Sequence, residues 1–433
     1  MSIFHFYDIS LGFVLAFAWA FFSYWWWVAV PAILYPGAKF FHLWWIQWEV
    51  FYNEQEWILL EIIPPSEILK PFQAMEDVIN ALWPVYDGPC WREFWCEGEK
   101  DNGPFWFSFE VVSIGGQVHF YVRILKDQKD FFESIFHTHY PDLEFFPAED
   151  YTQKIPQDIP NDKYDLYGEH IGTIKPDAYP IKTYKSFEIS PGESDQEKML
   201  DPFSNLMESM AKLKEGEQLW LQIILNPITN DDVPWVDAAK KEADKIARRP
   251  ADPDRKSMVG EMFRLMAHNK DPYSEEEKEK DLIPPEMKLT PGEREKLLTV
   301  EEKMDQPAFR THIRAVYVAE KDAFVSANKR IPRGYVAHFS SGGNFMKDNG
   351  FKTKIHYFFR QRRLYLRKRR MLQLAVKRFP PNFPEVGGKG TMILISEEIA
   401  TFFHFPSKAS ALPSGVPRIM AKKATPPPNL PTE

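Results

Sequence analysis

The densest concentration of reactive side chains is a basic run over residues 352–378, KTKIHYFFRQRRLYLRKRRMLQLAVKR, which contains no acidic residue. Apolar side chains interleave with the cations, so a helix over this run would have one apolar and one cationic side. Such a surface attracts nucleic-acid phosphates or anionic lipid headgroups, and it also fits an acidic protein surface. The residues predicted to bind an anionic partner are Lys352, Lys354, Arg360, Arg362, Arg363, Arg367, Lys368, Arg369, Arg370, Lys377 and Arg378.

Two other motifs suggest chemistry only superficially. His137 and His139 are two residues apart on a predicted helix, so their side chains point about 200° apart, as expected of a surface or capping role. The sequence GGKGT at 387–391 lacks the pattern of a phosphate-binding loop, because Gly390 separates the lysine from the hydroxyl residue and a strand follows. We therefore expect no catalytic residue, no metal site and no cofactor.

Charge and cysteine content narrow the class of protein. The net charge of −8 argues against a general nucleic-acid coat, although local patches can differ. Cys90 and Cys96 are the only cysteines, and their spacing matches neither a metal nor a redox motif. Two reduced structural thiols in a reducing compartment are expected.

The first recognisable element of the chain is a segment at residues 9–36 that is uncharged and rich in aromatic residues. It exceeds the roughly 20 apolar residues needed to cross a bilayer, and the sequence before it lacks the basic residues of a signal peptide. We therefore predict a single-pass membrane anchor over residues 1–53. Its predicted membrane-contacting residues are Trp19, Trp25, Trp26, Trp27, Trp44, Trp45 and Trp48.

A second apolar stretch at residues 40–51 is too short to span as a helix. An interfacial helix is the main interpretation, and a tight two-helix hairpin is the alternative. Basic residues first appear at Lys39 and Lys70, after the predicted span. The positive-inside rule then favours a short external N-terminus and a cytoplasmic body.

The body opens with a β-α-β-β-α-β order over residues 54–150. A strand at 57–63 precedes an amphipathic helix, and Gly115-Gly116 separates two alternating strands as in a tight hairpin. An amphipathic helix at 127–139 and a strand at 142–146 complete the order. This order predicts a ferredoxin-like α/β sandwich.

A second, inserted ferredoxin-like domain is predicted over residues 181–406, after a linker at 151–180. Its predicted elements include strands at 181–189, 218–225, 309–318 and 391–396, and helices at 202–213, 236–248 and 321–330. A charged insertion occupies 250–291, the basic helix covers 352–378, and a Pro-rich tail covers 407–433. The fold class is therefore α+β: a transmembrane helix and two ferredoxin-like domains.

Several segments together resemble the N-terminal, membrane-proximal region of type IV secretion and conjugative DNA-transfer ATPases of candidate-phylum bacteria. They are WILLEIIPPSEILKPFQAMEDVINAL, FSFEVVSIGGQVHFYVRI, GEQLWLQIILNP, NGFKTKIHYFFRQRRLYLRKRRML and ILISEEIATFFHFP followed by PPPNLP. In those ATPases the last segment leads into a motor domain, whereas this chain has no nucleotide-binding loop after it. The resemblance thus implies the anchor and accessory domains and carries over no ATPase residue.

The expected function is a non-enzymatic, membrane-anchored assembly component of a type IV secretion or conjugation-like apparatus. Its expected partners are membrane lipids and a separate motor ATPase or other apparatus subunits. The alternative is a membrane-tethered DNA-binding protein that uses the basic helix at 352–378. Self-association into a homo-oligomer is compatible with either function.

Overall fold

The computed structural model shows that the strands follow the alternation of their apolar residues. On β3, for example, Phe120 and Val122 face one core, whereas Tyr121 between them faces another. The strands are β1 Trp57–Ile63, β2 Phe107–Ile114, β3 Gln117–Leu125, β4 Glu144–Pro147, β5 Tyr164–Thr173, β6 Glu217–Ile228, β7 Ala308–Glu320, β8 Met346–Lys352 and β9 Met392–Ile395. The helices are α1 Trp26–Trp45, α2 Pro71–Leu82, α3 Lys129–His139, α4 Pro202–Ala211, α5 Trp235–Ala247, α6 Pro291–Met304, α7 Ile331–Ala337, α8 Arg360–Lys377 and α9 Ser396–Phe402.

The structure does not describe every residue. It describes residues 26–46, 54–64, 71–86, 106–186, 201–231, 233–249, 289–340, 344–355, 358–378 and 391–406, with positions 16, 19, 23–24, 50, 88, 90–92 and 95–96. The predicted tail, almost all of the predicted charged insertion, and the GGKG part of the motif at 387–391 lie outside these residues.

All nine strands belong to one antiparallel sheet with the order β4-β1-β3-β2-β6-β7-β5-β8, and β9 pairs with the free part of β7. The α+β class is thus confirmed. The two predicted domains share this sheet, because β2 of the first pairs with β6 of the second. The pairing extends from Phe107 opposite Leu225 to Ile114 opposite Gln218. Gly115 and Gly116 have φ of 59° and 88°, the positive values that the tight turn between β2 and β3 requires.

Helices cover both faces of the sheet. α2, α3, α4, α7 and α9 bury their apolar sides in one large core with alternate strand residues such as Leu60 and Phe109. The opposite face carries a smaller core, which contains Met371 and Leu372 of α8 together with strand residues such as Trp220. Because both faces are covered, β2 is buried along nearly its whole length.

Three expectations for the second half differ from the structure. The predicted linker contains strand β5. Its polar residues Glu169 and His170 made the segment look like a linker in the sequence, although both side chains are buried. No strand occupies 181–186, because the N–H groups of Ile181 and Tyr184 instead donate to side chains of α9; residues 187–189 lie outside the described part. The helix predicted at 321–330 begins at Ile331, with Pro332 in its first turn, where a missing N–H costs no hydrogen bond.

The chain divides into two compact units, one comprising Met1–Gln55 with Gly88–Asp101 and the other Glu56–Asp87 with Asn102–Glu433. In the first unit α1 runs through Pro31 and Pro36, joining residues predicted as span and as interfacial helix. Its Lys39 ammonium lies 5.1 Å from the centre of the Trp95 ring. Among the described residues, no helix has the length and apolar character needed to cross a membrane.

The tryptophans predicted for the anchor belong to this first unit. Trp19, Trp27 and Trp45 are exposed, and Trp44 is half-buried. Trp26 begins α1. Trp25 and Trp48, like most of residues 9–25, lie outside the described part of the chain.

Candidate functional site

The basic run forms α8, which is shorter than predicted. Lys352 ends β8, and the helix begins only at Arg360. Met371, Leu372 and Ala375 form its buried side. Gly168 of β5 permits this close packing, because a Cβ atom there would lie 2.5 Å from Cγ of Met371.

One predicted binding residue, Arg378, is not available to any partner. Its side chain is fully buried between Glu110 of β2 and Asp150, with Nε 2.9 Å from the Glu110 carboxylate. Burial alone would lower the pKa of Arg378, but Glu110, Tyr151 and Asp150 hold that pKa well above its ordinary value. The expectation of an anionic-partner role is therefore wrong for this residue, because it already neutralises buried carboxylates.

The C-terminal end of α8 is held by side-chain donors, most of which are buried. The last four carbonyl groups of a helix have no partner within it. Here they accept hydrogen bonds from four side chains, three of which come from strands: Arg314 donates to the Leu374 carbonyl at 2.6 Å, Gln222 to Ala375 at 3.0 Å, Arg378 to Val376 at 3.0 Å and Arg123 to Lys377 at 3.3 Å. Burial lowers the pKa of Arg314 to about 9, so its guanidinium remains protonated at neutral pH.

Sequence reasoning missed this group of buried polar residues. Glu110 and Arg314 occur in strands that read as apolar, and Tyr151 lies in the predicted linker. Tyr151 donates to Glu110 at 2.7 Å and accepts from Gln222 at 2.8 Å. A charged residue inside an otherwise apolar strand was the available signal, since a buried charge requires a partner.

Four further predicted residues are engaged with the protein itself. Lys368 pairs with Asp165 of β5, and Lys352 pairs with Asp348 of β8. Arg367 donates to the carbonyls of Lys352 and Lys354. Arg369 donates to the Tyr365 hydroxyl at 2.9 Å. The contacts of Lys368 and Arg367 tie the middle of α8 to the sheet and to the segment that precedes the helix.

The remaining predicted cations point outward. They are Lys354, Arg360, Arg362, Arg363, Arg370 and Lys377, all of which are exposed. Within the described part of the chain, no ion pair involves Arg360, Arg362, Arg363 or Arg370. Arg362, Arg363 and Arg370 follow the outer side of α8 together with Leu366, which is 55 % exposed. Arg360 is exposed at the start of the helix.

The N-terminal end of α8 differs sharply from its satisfied C-terminal end. The N-cap residue, Phe359, provides no side-chain cap, and the first turn contains no acidic residue. Phe359 also has a φ of 56°, an uncommon value for a bulky side chain. Arginines at the positive end of the helix dipole are electrostatically unfavourable unless an anion joins them. We define the tip of α8 as Phe358, Phe359, Arg360, Arg362, Arg363 and Leu366.

The histidine pair and the two cysteines lie wholly or partly at the surface. His137 is exposed, and its ring lies perpendicular to that of Phe145 with the ring centres 5.9 Å apart. Cys90 and Cys96 are both exposed and form no disulfide with each other. Among the described residues, no cluster of three or more His, Cys, Asp or Glu could hold a metal ion.

Acid should weaken the bond between Arg378 and Asp150. Burial raises the pKa of Asp150, but hydrogen bonds from Arg378 and Thr152 outweigh it and lower that pKa below its usual value. Because the folded pKa lies below the unfolded value of about 3.9, this stabilisation is complete above about pH 4 and is lost as pH falls through the folded pKa. Asp150→Asn should therefore be less stable at pH 7, and the two proteins should converge towards pH 2 in urea titrations.

The control for this prediction is Asp142→Asn, which changes an exposed carboxylate. Its stability should follow that of the parent protein at every pH. A constant difference between Asp150→Asn and the parent down to pH 2 would contradict the assigned ion pair.

Fold and site together define a class: an α+β protein with one large antiparallel sheet and a basic helix that presents a cationic, aromatic tip. Residues 49–413 match the model of a family described as Domain of unknown function (DUF8128), and the chain belongs to this family. No curated protein matches the sequence.

Proposed function

We propose that this protein is a non-enzymatic, membrane-anchored assembly component of a type IV secretion or conjugation-like apparatus, and that it docks a separate motor ATPase. The proposal combines the ordered sequence resemblance with one structural observation, a repeated strand order. The sheet of the second unit is the assembly platform, and residues 9–36 fix it to the membrane.

The repeated order supports two ferredoxin-like halves. In the first half β1, β2, β3 and β4 are arranged as β4-β1-β3-β2, and in the second half β5, β6, β7 and β8 are arranged as β8-β5-β7-β6. In each half a helix connects the first strand with the second, and another helix connects the third with the fourth. We therefore interpret each half as ferredoxin-like, with α5 and α6 as an insertion in the second half.

The surface of α1 supports the proposed anchor. Large apolar side chains are exposed around this helix, among them Ile33, Leu34 and Phe41, at 70 %, 61 % and 60 %. A soluble protein rarely exposes so continuous an apolar surface unless a membrane or another subunit covers it. We place the N-terminus outside and the body in the cytoplasm, following the positions of Lys39 and Lys70.

Crosslinking in the native cells tests this function. The full chain, carrying an affinity tag, is crosslinked, extracted with detergent and analysed by mass spectrometry beside an unrelated tagged membrane protein. A motor ATPase or other apparatus subunits should be enriched with this protein and absent from the control. A stable monomer that recovers neither would contradict the proposal, and ATP hydrolysis by the purified chain would contradict its non-enzymatic character.

The outward arginines favour a second candidate function, a tether that binds DNA. Under this function Arg362→Glu, Arg363→Glu and Arg370→Glu together should abolish DNA binding. The parent affinity should fall with salt at a slope of about −0.9 per phosphate contacted on duplex DNA. Fluorescence anisotropy measures both effects. The matched control reverses three exposed lysines of α5 and α6, Lys240, Lys241 and Lys296; equal binding by both variants would exclude this function.

A further inference from the structure

We infer that the tip of α8 is a second membrane contact, which inserts Phe358 and Phe359 into the headgroup region of a bilayer that contains anionic lipids. The inference rests on the proposed function, because an anchored body stays within reach of a bilayer surface. It assigns a lipid partner to a site on the second unit, separate from the anchor.

The apolar part of the tip is unusually exposed. Phe358 and Phe359 are consecutive, and their side chains are 87 % and 84 % exposed. Leu366, two turns along the outer side of α8, adds a third exposed apolar side chain. Single exposed apolar residues are ordinary, but Phe358 and Phe359 are adjacent in the chain and almost fully exposed, and water solvates such a pair poorly.

The charged part of the tip follows directly after Phe359 in the chain. Arg360, Arg362 and Arg363 lie in the first turn of α8, where the helix dipole is also positive. The N–H groups of this turn receive no cap from the side chain of Phe359. Phosphate groups of a membrane surface would accept from both the arginines and these N–H groups.

This combination favours lipid over nucleic acid. DNA phosphates would also neutralise the arginines, and single-stranded bases would stack on the phenylalanine rings. Leu366 has no role in either contact. A bilayer interface uses all of these side chains together, since apolar residues enter the acyl boundary while basic residues remain among the headgroups.

Fluorescence quenching by labelled lipids tests the inference in the full chain. The exposed cysteines Cys90 and Cys96 are first replaced by serine. One environment-sensitive label is then attached at Gln361→Cys in the tip, at Lys240→Cys in α5 or at Ser23→Cys in the first unit. Each protein is reconstituted in phosphatidylcholine vesicles with or without about 30 mol% phosphatidylserine and with nitroxide-labelled lipid.

The Gln361 label should be quenched at least about fivefold more strongly than the Lys240 label in vesicles containing phosphatidylserine, and the difference should shrink in phosphatidylcholine alone. Phe358→Ser with Phe359→Ser should abolish this quenching. Leu298→Ser with Ile174→Ser, which removes exposed apolar side chains elsewhere, should preserve it. The label at Ser23 reports on the anchor independently.

The other possible outcomes contradict either this inference or the proposed anchor. Quenching at Ser23 but not at Gln361 would overturn the inference and leave the proposed anchor supported. No quenching at either position would overturn the anchor as well. A response of the Gln361 label to single-stranded DNA but not to lipid would overturn the inference in favour of the DNA-binding tether.

Discussion

Replacing Arg378 with methionine should lower the free energy of unfolding by about 3–5 kcal/mol, because a buried charge would lose its partner. The Glu110 carboxylate is fully buried, and Arg378 donates to both of its oxygens, at 2.9 and 3.2 Å. The remaining donors to this carboxylate, Ser108 and Tyr151, are neutral. Methionine fills much of the volume of arginine, so the loss measures charge compensation more than packing.

A double-mutant cycle separates the charge effect from other consequences of the substitution. Glu110→Gln removes the carboxylate that Arg378 neutralises. The combined Arg378→Met, Glu110→Gln protein should therefore recover part of the stability lost by Arg378→Met alone. Urea denaturation followed by tryptophan fluorescence provides the free energies. Equal destabilisation by the single and combined variants would contradict the proposed pairing.

The matched control is Arg362→Met, on the outer side of the same helix. This arginine is exposed and has no ion pair in the described part of the chain. Its replacement should leave stability nearly unchanged, as for most surface substitutions. Comparing the two methionine variants tests whether the basic run contains both cations that stabilise the fold and cations that lie only at the surface.

That division explains how far the sequence could predict the site. The run identified a cationic helix, and its outer arginines are indeed exposed. Composition could not show that the Arg378 side chain is buried. Its position depends on Glu110 and Asp150, which belong to segments far from it in the sequence. Nor could composition show that Arg314 and Gln222 hold the helix end, since hydrogen bonds to backbone carbonyls leave no sequence pattern.

The fold was predictable where local signals agree. The Gly-Gly hairpin, the alternation of β7 and the capping of α4 by Asp201 with Pro202 all appear as expected. β5 was missed because its buried polar residues find partners far along the chain: Glu169 binds Arg333, and His170 accepts from Arg314. The continuity of the sheet across β2 and β6 was also missed, since pairing between distant edges is a tertiary property.

Residues 54–150 alone should not form a stable fold, although their strand order is complete. β2 pairs with β6 along its entire length, so the isolated half would expose an apolar edge. Its core is also completed from the other end of the chain. Phe403 stacks on Phe109 with ring centres 4.6 Å apart, and the Phe405 ring lies 5.7 Å from that of Phe120.

The test compares two fragments, residues 54–150 and residues 54–406, by near-UV circular dichroism and thermal unfolding. The longer fragment should unfold in one cooperative transition, whereas the shorter one should bind hydrophobic dyes and show no transition. Phe403→Ala in the longer fragment should lower stability by about 3–5 kcal/mol, as for other buried phenylalanines, while keeping a single transition. A cooperatively folded shorter fragment, or two separate transitions in the longer one, would show that the halves are independent domains. A single transition instead means that the two halves of the sheet fold as one cooperative unit.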